Sequence, residues 1–136
     1  MKKALIIVFA VLCGAFKYET AQAQIVSFCE SVLDDGQMVN QSNTFAITQK
    51  GGTIHMLITL EDKVGVSKVI YKVFRVSDKG DQYIDQSLED IVDPKWMWFH
   101  HELIIRSPGN YMVYVYPENS TKILASGLVH IISAKE

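Results

Sequence analysis

Excess positive charge is missing from this chain. Its 136 residues hold 13 Lys and Arg against 15 Asp and Glu, a formal net charge of −2. That balance leaves no electrostatic footprint for nucleic acid or anionic lipid. Cysteine is scarce too. Beyond the first 23 residues only Cys29 remains, so that part holds no internal disulfide. A small domain without such staples depends on its apolar core, and the 49% hydrophobic composition permits one. Catalytic signatures are also lacking. There is no Gly-x-Ser-x-Gly elbow, no Cys-His signature around Cys29 and no phosphate-cradling glycine loop. Asp34 with Asp35, and Glu61 with Asp62, sit in turn-like segments and read as solvated loop charge. No enzyme and no cofactor is expected. Long helical windows, internal repeats, low-complexity segments and domain linkers are absent as well.

One apolar run stands out, at the N-terminus. Lys2 and Lys3 precede the thirteen residues Ala4 to Phe16, and Ala21 and Ala23 follow at the −3 and −1 positions of a cut after Ala23. This is the layout of a cleaved secretory signal peptide over residues 1–23. Thirteen helical residues rise only about 20 Å, short of the ~30 Å hydrocarbon core. Lipidation at Cys13 is the weaker expectation, because Leu12 stands where a small residue belongs and Ala10 where Leu is usual. Cleavage would leave residues 24–136 as one domain, periplasmic or secreted and not membrane-spanning. Losing Lys2, Lys3, Lys17 and Glu19 takes its net charge to −4. Cys29, in apolar company, reads as a buried thiol, with an intermolecular disulfide as the sharper alternative.

What remains reads as β almost throughout. Thr53 to Leu60 alternates, with Ile54, Met56, Ile58 and Leu60 on one face. Lys68 to Val76, Trp96 to Ile105, Tyr111 to Tyr116 and Lys122 to Ile132 are rich in β-branched and aromatic residues. Gly127 marks a candidate bulge in the last of these. Shorter candidates are Ile25 to Cys29, Thr44 to Thr48 and Gln82 to Asp85, with one short helical turn expected over Asp85 to Val92. Turn-forming segments such as "QKGG", "SDKGD", "SPGN" and "PENS" separate them. The pattern predicts an all-β sandwich or barrel.

"SPGNYMVYVY" carries a resemblance. Gly109, Tyr111, Val113 and Val115 form Gly-x-Tyr followed by alternating Val, which resembles the penultimate strand of immunoglobulin-like domains, including PKD-type repeats. The resemblance implies a single immunoglobulin-like antiparallel β-sandwich of about seven to eight strands. It also implies a tyrosine near the strand start that bonds back to the backbone at a corner. The buried cysteine pair and core tryptophan of antibody domains are absent, so architecture is carried over and function is not.

The densest chemistry lies in "PKWMWFHHEL" (Pro94 to Leu103). Period-2 arithmetic puts Met97, Phe99, His101, Leu103 and Ile105 on a core face. Trp96, Trp98, His100, Glu102 and Ile104 fall on the other. His100 and His101 therefore point apart and cannot share one ion on a regular strand. His100 and Glu102 share a face about 6.5 Å apart, and His55 or His130 would have to complete a copper or zinc site. Aromatic binding is the favoured sharp reading. Trp96 and Trp98 on one sheet, and Met112, Tyr114 and Tyr116 on the other, are the expected partner-binding residues. The sequence thus points to an exported, non-enzymatic binding domain of the bacterial cell envelope, using a sheet face or edge strand on a protein or envelope component. The alternative is a periplasmic small-ligand or metal carrier built on His100, Glu102 and a further histidine.

Overall fold

In the computed structural model, residues 24–134 are described; the expected signal peptide and Cys13 lie outside them. The described chain is all β. Its strands are β1 (Gln24–Cys29), β2 (Ser31–Val32), β3 (Met38–Val39), β4 (Thr44–Ile47), β5 (Gly52–Thr59), β6 (Lys68–Val76), β7 (Gln82–Ile91), β8 (Trp98–Ile105), β9 (Gly109–Pro117) and β10 (Ala125–Ser133). No helix among the described residues is long and apolar enough to cross a membrane.

Hydrogen bonding orders the strands β7-β6-β9-β10-β1-β5-β8, with β4 on β10, while β2 and β3 form a separate small hairpin. β1 is the hinge between two layers. Gln24 and Ile25 run parallel to Ala125 and Ser126 of β10, and Val26 to Cys29 then pair antiparallel with β5. One layer is β7-β6-β9-β10-β4 and the other is β1-β5-β8. The pairing is antiparallel as expected except at two places, where β1 and β4 run parallel to β10. Side-chain alternation has the same period in either direction, so it carries no sign of strand polarity.

Alternation does decide the core. Tyr71 and Val73 of β6, Tyr111, Val113 and Val115 of β9, and Val129 of β10 meet Phe28, Met56, Ile58, Leu103 and Ile105 of the other layer in one cluster. All are at most 1% exposed. Fully burying side chains of this kind contributes roughly 1.5–3 kcal/mol each, and a domain with no disulfide among its described residues rests on that sum. Gly127 marks no bulge: β10 stays in register with β9 from Ala125 to Ile131. A Cβ there would meet the Val26 carbonyl oxygen at 2.5 Å, so glycine serves the close passage of β1.

The corner tyrosine is present. Tyr111 Oη donates to the Ser107 carbonyl at 2.7 Å. Arg75 clamps the same corner, donating to Ser107 Oγ at 2.7 Å, Tyr111 Oη at 3.0 Å and the Pro108 carbonyl at 2.6 Å.

Two further expectations are corrected. Asp85 to Val92 forms no helical turn; it is the second half of β7. The register slips by one there, because Gln86 pairs Val73 and Ile84 pairs Phe74, leaving Asp85 as the extra residue of a bulge. β8 begins at Trp98 and not at Trp96. Asp93–Pro94–Lys95–Trp96 closes a turn through the Trp96 amide and the Asp93 carbonyl at 2.9 Å. Met97, expected in the core, is exposed as a result.

Candidate functional site

The β7–β8 connection crosses from one layer to the other and brings the ends of both strands to one place. Asp90 and Ile91 close β7, Trp98, Phe99 and His100 open β8, and Trp96 and Met97 lie between. These seven residues line a cleft of about 460 Å³. Trp96 and Trp98 are 46% and 37% exposed, and Phe99 is buried.

Backbone bonds fix the cleft wall. The amides of Leu60, Val64 and Gly65 donate to the carbonyls of Met97, Trp96 and Pro94 at 2.7, 2.8 and 3.0 Å. The Trp96 segment is therefore held by the β5–β6 loop, although it is not a strand. Trp98 is held differently. Its indole lies nearly parallel to the His100 ring, with centroids 6.2 Å apart and an interplanar angle of 16°. The turn of the β2–β3 hairpin also packs against the indole, at Gly36, which carries φ +88°. Fixed aromatic surface costs little side-chain entropy when a ligand arrives.

One carboxylate faces the cleft. Asp90 Oδ2 accepts a long 3.4 Å hydrogen bond from Tyr71 Oη. Burial above all, then the Asp90 charge and this hydrogen bond, push the Tyr71 phenol well above its ordinary pKa, so it stays a donor.

The expected metal ligands divide. His55 and Glu102 are directly opposite across β5 and β8, with Nε2 and Oε1 3.7 Å apart. His55 Nδ1 donates to the Glu30 carbonyl at 2.9 Å, which fixes the ring with Nε2 toward Glu102. His100 lies beside them, 6.2 Å from His55 between ring centroids. His130 is corrected as a ligand: it sits on β10 in the other layer and bonds Asn110. Among the described residues no group of three or more metal-capable side chains could hold an ion.

Met112, Tyr114 and Tyr116 lie on the outer face of β9 and are half-buried against their neighbours. Tyr114 packs edge-on to Phe74 at 5.6 Å and donates to Gln82 Oε1 at 3.1 Å, while Lys72 Nζ sits 5.1 Å above the Tyr116 ring. They share no cavity with the two tryptophans, which belong to the opposite layer. Cys29 is fully buried, and burial raises its thiol pKa against the backbone amides that favour the thiolate. The expectation of an intermolecular disulfide through Cys29 is corrected on that ground, since a buried sulfur cannot reach a second chain.

Sequence reasoning missed Asp90, Ile91 and Gly36. The signal for Asp90 was the alternation Gln86, Leu88, Asp90, Val92, which the bulge at Asp85 detaches from the first half of β7.

No family model matches the chain, and no curated protein matches it. Among solved structures the chain is similar to an immunoglobulin-like protein from Pseudomonas aeruginosa at 13% identity and a TM-score of 0.47, covering 80% of this chain and 90% of that one. It is also similar to an alkylpurine DNA glycosylase from Pseudomonas fluorescens bound to DNA containing an abasic-site analogue. There the identity is 11% and the TM-score 0.41, over 79% of this chain and 30% of that one.

Proposed function

We propose that this chain is an exported, non-enzymatic binding domain of a bacterial cell envelope, and that it holds a protein or envelope component at the cleft between β7 and β8. The cleft carries the reading. It gathers Trp96, Met97, Trp98 and Ile91 around about 460 Å³, with Asp90 and His100 as the ionisable groups of its lining. Partly exposed tryptophans in a formed concavity are what binding hot spots are made of. Export is supported by the Lys-rich start, the thirteen-residue apolar run and the Ala21 and Ala23 pattern.

Affinity capture from envelope extract tests the site. Trp96→Ala and Trp98→Ala, each shown to be folded by circular dichroism, are expected to lose about tenfold or more in partner capture. Tyr114→Ala, on the other layer, is expected to keep it. Capture retained by both tryptophan variants overturns the reading. An N-terminal mass that begins at Gln24 in the exported protein tests the compartment.

A further inference from the structure

β7 and β8 are both edge strands, and they flank the same seam between the layers. Among the described residues β7 pairs only with β6 and β8 only with β5. Gln86 reaches across, its Nε2 donating to the Ile104 carbonyl at 3.0 Å. That bond reveals which backbone groups of β8 face the seam. In an antiparallel strand the N–H and C=O of one residue point to the same side, and successive residues alternate. Ile104, Glu102, His100 and Trp98 therefore aim their peptide groups at the seam, while Met97 aims its carbonyl at Leu60, as its hydrogen bond confirms.

Part of this edge is closed. Gln86 takes the Ile104 carbonyl, and His101 Nδ1 donates to the Glu102 carbonyl at 2.7 Å. Among the described residues no side chain caps Trp98 or His100 in this way. The open part of the edge is the part that borders the cleft. An exposed edge of this kind is a template for an added strand, and an adjoining pocket selects one of its side chains.

We infer that the seam takes an extended peptide segment carrying lysine or arginine, which pairs with the backbone of Trp98 and His100 and places its cation in the cleft. This rests on the proposed binding role of the cleft and names its ligand. Charge complementarity selects a cation. Asp90 is the carboxylate of the lining, which holds no lysine or arginine to neutralise it. The chain as a whole is net negative. Indole faces attract cations, arginine most often. A carboxylate held in place by the Tyr71 hydroxyl supplies the second half of the recognition.

The test uses the protein as cells process it and two synthetic pentapeptides, acetyl-Thr-Val-Arg-Val-Thr-amide and its citrulline counterpart, which keeps the shape and loses the charge. The arginine peptide is expected to shift the NMR amide signals of Trp98 and His100 and the indole signals of both tryptophans. It is expected to bind about tenfold more tightly than the citrulline peptide. Asp90→Asn should remove most of that ratio, because the Asn carbonyl still accepts from Tyr71 while the charge is gone. N-methylation of the peptide backbone should abolish binding of both. Equal binding of the two peptides overturns the inference but leaves the cleft as a binding site. Absence of any shift also overturns it, and partner capture that still depends on Trp96 and Trp98 then shows that the cleft binds something else. If that dependence is missing too, both readings fall.

Discussion

Gly36 rests against the indole of Trp98: a methyl group placed on its α-carbon would meet the ring at 3.2 Å. The β2–β3 turn thus backs one side of the residue that forms the cleft wall, and glycine is required twice over, by contact and by its φ of +88°.

Gly80 separates these two demands. It has nearly the same φ, +89°, but open space around it. Gly80→Ala should cost the backbone strain alone, about 1 kcal/mol. Gly36→Ala should cost about 1–2 kcal/mol more, because the turn must lift or the indole must move. It should also change the tryptophan emission of the folded protein. Urea unfolding of both variants checks this, and equal losses with unchanged emission would show that the turn does not position Trp98.

The Tyr111 corner allows a second prediction. Its hydroxyl donates to the Ser107 carbonyl and accepts from Arg75, and the ring is 1% exposed. Tyr111→Phe leaves both partners short of a bond and should cost about 1–3 kcal/mol. Arg75→Met should cost less in the Tyr111→Phe background than alone, by about 0.5 kcal/mol or more. Additive losses in the double-mutant cycle would mean that the two side chains do not act as one clamp.

How much of this was legible in the sequence depends on what each feature rests on. β6 was readable to the residue, Lys68 to Val76, because a run rich in β-branched and aromatic side chains, with turn-forming residues beyond each end, reads as a strand. The corner was readable because Gly109-x-Tyr111 precedes alternating valines. β7 was cut in half because the extra residue at Asp85 inverts the phase, and each half looks too short or too polar alone. Trp96 and Met97 were read into β8 because their side chains suit a strand, yet the Asp93–Trp96 turn decides their backbone. The cleft was invisible for a different reason. Asp90 and Trp98 are close in sequence but lie in opposite layers, and only the crossing of the chain makes them walls of one space. The β2–β3 hairpin, at two residues per strand, is below what periodicity can register.

Metal addition offers a third test. His55 and Glu102 converge, but His130 is in the other layer and His100 is stacked on Trp98. A native-state site of useful affinity would raise stability by about 2.7 kcal/mol at a hundredfold excess over Kd, several degrees in melting temperature. Zinc or copper at micromolar excess is expected to leave the melting temperature within about 2 °C of the metal-free value. A larger rise that His55→Ala removes and His130→Ala does not would establish a site on the outer face of β5 and β8.

Alkaline pH should unfold this protein through two buried acids. Cys29 and Tyr71 both have folded pKa values raised above their ordinary 9.0 and 10.0. Below those values folded and unfolded chains hold the protons equally, and stability does not depend on either group. As pH rises past about 9, and then past about 10, the unfolded chain releases protons that the folded chain retains, so the unfolded state gains. Each group then removes about 1.4 kcal/mol per pH unit until its folded pKa is reached. Tyr71→Phe should flatten the limb above pH 10 by about that slope. Loss of the 3.4 Å bond to Asp90 should lower the whole curve by a smaller, nearly constant amount. Urea unfolding between pH 8 and 11 reads both effects. Parallel curves for the wild type and Tyr71→Phe above pH 10 would mean that the Tyr71 phenol titrates alike in the folded and unfolded chains, despite its burial.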